Sequence, residues 1–197
     1  MTSRRHEKSL PKVLAFEDGP FSKPDRYCLL VGALVACNSI EQVLLDRIQV
    51  DGKDGTQKVV SLARRSKGAG VIMLPSVSLG GFNVIDPYRL HRRLRLPVIV
   101  ANPERPRLRA VQEALRRHFP DWKQRVRVFD LMGSPDALHL GRNGVLYFYP
   151  VGIPATTARI ILRHITYFGK KPEPLRIARI LARALCSTPP FKTAGRV

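Results

Sequence analysis

Residues 27–37 read YCLLVGALVAC, an apolar run without a single charged side chain. A strand that is wet on one face alternates apolar and polar residues, whereas one covered on both faces does not. The run therefore predicts a central strand in a sheet with layers on either side. Its core, Cys28 to Cys37, is about half the length that a membrane-spanning helix requires.

Val71–Leu74 (VIML) and Pro97–Ala101 (PVIVA) are runs of the same type, and Val13–Phe16 is a short apolar strand ahead of them. Residues 42–50 alternate instead: Val43, Leu45, Arg47 and Gln49 oppose Leu44, Asp46, Ile48 and Val50, which suits a third strand with one covered face. Helices are predicted from Asp54 or Thr56, over 106–119, from Pro154 and from Pro174, where capping residues or prolines open amphipathic spacings. Arg125–Phe129 and Val145–Tyr149 read as further short strands. Three early strands followed by alternating helices and strands predict an α/β sandwich, an antiparallel hairpin region extended by parallel strands. Residues 1–12 (MTSRRHEKSLPK) read as a disordered basic leader, 13–187 as a single domain and 188–197 as a basic tail.

Charge narrows the function. The chain has 34 Lys and Arg against 15 Asp and Glu, a formal net charge of +19. A field of that sign draws polyanions, so nucleic acid, DNA or RNA, is the expected partner. Residues 17–54 depart from this balance, holding seven of the fifteen acids against four basic residues, so they net −3 while the rest nets +22. Carboxylates gathered inside a basic protein are the layout of a metal-dependent nuclease, with acids for the ion and bases for the phosphates. The basic surface is expected in two places. Residues 89–127 carry twelve Lys and Arg, among them Arg89, Arg92, Arg93, Arg95, Arg116 and Arg117. Arg176, Arg179 and Arg183 then form a stripe along the last helix. Three scattered cysteines and no secretory signal point to a reducing, cytoplasmic setting without a membrane partner.

The acidic residues admit two readings each. In "AFEDGPF", Glu17 and Asp18 read as first-strand metal ligands, of which at most one easily enters a given site because strand neighbours face opposite ways, or, for Asp18, as the organiser of the Asp-Gly-Pro turn. In "VDGKDGT", Asp51 and Asp54 close the same metal site, or Asp51 makes a turn and Asp54 caps a helix. Asp86 precedes Pro87 and reads as a helix cap, with a substitute ligand as the other option. The loop Gly80-Gly81-Phe82-Asn83 either cradles phosphate with its amides or lets a neighbouring strand approach.

"LAFEDGPF", "IQVDGKDGTQKV", "VIMLPSVSLGGFNVID", "LPVIV" and "KKPEPLRIARILARAL", in that order and spacing, resemble the domain-of-unknown-function 99 family, a mainly archaeal group related to endonuclease V. The resemblance runs from about residue 11 to residue 186. It implies a ribonuclease-H-like mixed sheet, three antiparallel strands extended by parallel strands with helices on both faces. It also implies Mg²⁺ or Mn²⁺ as cofactor, catalytic carboxylates at Glu17, Asp18 and Asp51, and Asp54 beside them as a further metal ligand. The chain departs from the pattern in two places: the family's "IMLDGI" is here "IMLPSV", with Pro75 and Ser76 where an Asp-Gly is expected, and the first-strand carboxylate is the longer Glu17. Two functions follow, a nucleic-acid-binding protein with a weakened metal site, or an active Mg²⁺-dependent endonuclease.

Overall fold

The computed structural model describes residues 10–37 and 39–187. The expected leader up to residue 9 and the expected tail from residue 188 lie outside the described residues. The last leader residues are tied down, because the Lys12 carbonyl accepts from Gly70 N at 2.8 Å.

Strands β1 (Val13–Asp18), β2 (Tyr27–Ala36) and β3 (Ser39–Gln49) open the chain, followed by helix α1 (Gly55–Arg64) and strand β4 (Val71–Leu74). A small hairpin, β5 (Ser78–Leu79) and β6 (Asn83–Val84), leads into α2 (Pro87–Leu94) and β7 (Val98–Asn102). Helices α3 (Leu108–His118) and α4 (Trp122–Met132) precede strands β8 (Asp136–His139) and β9 (Val145–Val151), and helices α5 (Ala155–Ile165) and α6 (Glu173–Cys186) complete the order. Seven strands form one sheet in the order β3-β2-β1-β4-β7-β9-β8. The first three are antiparallel, while β4 and β7 run parallel to β1. Beyond them β9 turns antiparallel to β7 and β8 antiparallel to β9.

The run that predicted a central strand is one: β2 is buried at eight consecutive positions, Cys28 to Val35. Layers cover both faces because strand residues alternate. Leu14 and Phe16 of β1 pack with α1, α2 and the α3–α4 pair. Val13 and Ala15 pack with α5 and α6 on the other side. On β3 the covered residues are Leu44 and Ile48, as its alternation predicts.

Residues 125–129 correct the expected strand there: they lie inside α4. Arg125-Val126-Arg127-Val128 alternates like a strand, but Val126, Phe129 and Met132 repeat at three-residue spacing and are the buried apolar residues of the helix. Strand β8 carries no such apolar run, sits at the sheet edge, and was not visible in the sequence.

Candidate functional site

The parallel register, Ala15 with Met73 and Leu74 with Val100, brings the ends of β1, β4 and β7 to one edge of the sheet. Continued by two residues, it puts Pro75 level with Glu17. This edge is where the sequence places its carboxylates.

Strand alternation separates the first two. Glu17, 7 % exposed, takes the α5–α6 side and forms a close ion pair with Lys171, just ahead of α6. Burial outweighs the lysine and pushes the Glu17 carboxyl above its ordinary value. Asp18 takes the opposite side, where its Oδ2 accepts from Gly80 N at 2.7 Å. Burial likewise raises the Asp18 carboxyl, against the pull of that amide.

Asp51 and Asp54 are absorbed by the loop between β5 and β6. Asp51 has φ of 57°, a left-handed conformation that Asp tolerates better than most residues. Three bonds hold it there: its N–H donates to Gly80 O at 2.8 Å, its Oδ1 accepts from Phe82 N at 2.8 Å, and its carbonyl accepts from Arg125 at 3.0 Å. Asp54 occupies the N-cap position of α1, but its side chain does not cap the helix. It accepts from Asn83 Nδ2 at 2.5 Å and from Gln49 N at 3.3 Å. The cap is Asn83, fully buried, whose Oδ1 accepts from Gly55 N at 2.8 Å. The amides of Gly80 and Phe82 therefore cradle two carboxylates of the chain itself, and not a phosphate. Asp86 caps α2 as expected, accepting from Arg89 N at 2.9 Å.

Arg125 is the residue that sequence reasoning missed. Only 7 % exposed, it donates to the carbonyls of Asp51, Gly52 and Phe82 and to the Asp121 carboxylate, and its guanidinium lies 4.3 Å from the Phe119 ring centroid. Phe82 meets that same ring edge-on at 5.6 Å. Lys171 was visible only as part of the "KKPEPL" motif, with nothing to name Glu17 as its partner.

A divalent ion needs several carboxylates aimed at one point. Here Glu17 is paired with Lys171 on one side of the sheet, Asp18 and Asp51 each give one oxygen to a backbone amide on the other, and Asp54 is turned to Asn83. Pro75, at the end of β4, offers no donor. Among the described residues no group of three or more His, Cys, Asp and Glu side chains is placed to hold a metal. As arranged, this donor set does not fit Mg²⁺ or Mn²⁺.

What the edge does offer is a cleft of about 480 Å³ where β4 and β7 end. Pro75, Ser76, Asn102, Arg105, Arg107 and Tyr149 are among its walls. Its one carboxylate, Glu104, pairs with Lys170 at 3.0 Å. The nine arginines expected to meet nucleic acid are all exposed, on opposite faces of the sheet. Arg89, Arg92, Arg93 and Arg95 lie on or just after α2, and Arg116 and Arg117 on α3, where Arg116 stacks on Trp122 at 4.7 Å. Arg89 and Arg93 share a second cleft with Arg64. Arg176, Arg179 and Arg183 are on α6 across the sheet, where Arg176 is paired with Glu173 and the Arg179 charge acts on Glu17 and Asp18. No helix among the described residues is long and apolar enough to cross a membrane.

Known proteins carry the same frame. A UPF0215 protein of Thermococcus gammatolerans is 39% identical over 181 residues, 88% of this chain and 91% of that relative. The crystal structure of a protein of unknown function from Archaeoglobus fulgidus superimposes with a TM-score of 0.78 at 30% identity, covering 88% of this chain and 96% of that one. Ciona intestinalis endonuclease V, solved in complex with a 23mer DNA containing an inosine followed by a ribo-adenosine, superimposes with a TM-score of 0.57 over 88% of this chain and 83% of its own. At 12% identity that likeness is one of fold alone, the ribonuclease-H-like sheet. The endonuclease dU family model matches residues 10–186, and the chain belongs to that family.

Proposed function

We propose that this protein binds nucleic acid at the edge where β1, β4 and β7 end, and that its inherited carboxylates now hold the fold and no longer a metal. The observation that carries this reading is the cleft beside Pro75: arginines 105 and 107 face it, and its single acid, Glu104, is neutralised by Lys170. Arginine forks grip phosphate oxygens in pairs, so such a cleft retains a strand without cutting it. The endonuclease V neighbour that was solved with DNA supports the class of partner.

A second reading, an active Mg²⁺-dependent endonuclease hydrolysing phosphodiester bonds, is favoured by one specific observation, the family's description as endonuclease dU. One experiment separates them. A labelled single-stranded oligonucleotide containing one deoxyuridine is titrated with protein over a range of salt concentrations, and incubated with Mg²⁺ in parallel. The binding reading predicts intact oligonucleotide and an affinity that falls steeply with salt. The Arg105→Ala, Arg107→Ala double variant should flatten the log–log salt slope by about 1.4, two phosphate contacts at about 0.7 each. Metal-dependent cleavage, or no binding at low salt, contradicts it.

A further inference from the structure

Apolar side chains scattered over a surface need no explanation, but neighbouring aromatics held out from a tethered loop do. Tyr167 and Phe168 follow one another between α5 and α6, 42 % and 75 % exposed. The loop that carries them is fixed on both sides. Before the rings, the buried Thr166 donates its hydroxyl to Leu162 O at 2.7 Å. After them, Gly169 turns the chain at φ of 63°, where a side chain would be strained. Lys170 then pairs with Glu104, and Lys171 with Glu17. Both tethers end at the sheet edge described above, since Glu104 is a wall of the Arg105–Arg107 cleft and Glu17 is the next-to-last residue of β1.

Folding gains nothing from keeping two rings in water on a loop tied at both ends; loops positioned by a rigid scaffold are where binding residues gather. Exposed rings on a chain of net charge +19 match one kind of occupant: a flat apolar surface attached to negative charge, which is a nucleobase on its phosphate backbone. A second copy of this chain would bring one strongly basic surface against another, at net charge +19 each.

We propose that Tyr167 and Phe168 are a stacking platform for an unpaired base of a nucleic-acid strand whose phosphates lie along Arg105 and Arg107. This rests on the nucleic-acid-binding reading and adds to it a base contact that charge alone does not supply. Stacking is worth about 1–3 kcal/mol per base by alanine substitution, which is about a 5- to 150-fold change in affinity.

The test uses a fluorescein-labelled deoxythymidine dodecamer with one internal 2-aminopurine, titrated with wild type, Tyr167→Ala/Phe168→Ala and Phe168→Trp. Wild type should bind and quench 2-aminopurine emission. The double alanine variant should bind 5- to 150-fold more weakly, without quenching and with an unchanged salt slope, because it removes no charge. Phe168→Trp, which keeps an aromatic face, should retain both readouts. Affinity within twofold of wild type in the double variant, or no quenching by wild type, overturns the platform and leaves the phosphate-binding cleft standing. Failure of wild type to bind at low salt overturns both. Sedimentation showing a wild-type dimer that the double variant breaks, with oligonucleotide affinity untouched, overturns it in favour of self-association.

Discussion

Asp18 is a carboxylate that the family resemblance implies as a metal ligand and the fold uses as an acceptor for Gly80 N. Burial raises its folded-state pKa, so the stability associated with it is fully present below the unfolded carboxylate value and is lost as pH rises through the folded one. Asp18→Asn keeps an oxygen for the Gly80 amide and removes the charge that burial opposes. The variant should therefore match wild type closely near pH 3.5 and melt at progressively higher temperature than wild type as pH rises to 7. Thermal unfolding at the two pH values checks it. A variant whose Tm falls below wild type at pH 7 would mean that Asp18 is held as a charge, as a ligand would be. The same scale explains what sequence could and could not say of the site. That Glu17 and Asp18 face opposite ways follows from strand alternation and needs no structure. That one meets Lys171, 154 residues later, and the other a loop amide 62 residues later, is set by tertiary contacts that no local pattern encodes.

At the scale of elements, the β5–β6 loop, the loop between β3 and α1, and α4 are joined through Arg125. A lysine there carries the same charge on one nitrogen and cannot span the Asp51, Gly52 and Phe82 carbonyls together. Arg125→Lys should cost about 2–4 kcal/mol in denaturant unfolding, the price of leaving buried acceptors unpaired. A loss under about 0.5 kcal/mol would show that the loop holds itself. This junction is also where sequence reading failed. Residues 125–129 alternate like a strand, and only the burial of Val126, Phe129 and Met132 on one face reveals the helix. By contrast β2, β4 and β7 were legible as buried strands, because continuous apolar runs leave a strand few other places to go. Asp54 shows the intermediate case: its position at the N-cap of α1 was readable, whereas its replacement as capping group by Asn83 was not.

Across the whole molecule, a family fold that sequence and superposition agree upon carries, where β1, β4 and β7 end, both acids and bases. Pro75 follows β4, Lys171 sits on Glu17, and Arg105 and Arg107 line the cleft. The central claim is that these carboxylates have been given over to the fold, leaving a basic edge for nucleic acid. Calorimetric titration of Mn²⁺ into wild type and into the Asp18→Asn, Asp51→Asn double variant tests it most directly. The account predicts no saturable binding heat in either protein; saturable binding by wild type that the double variant abolishes would contradict it.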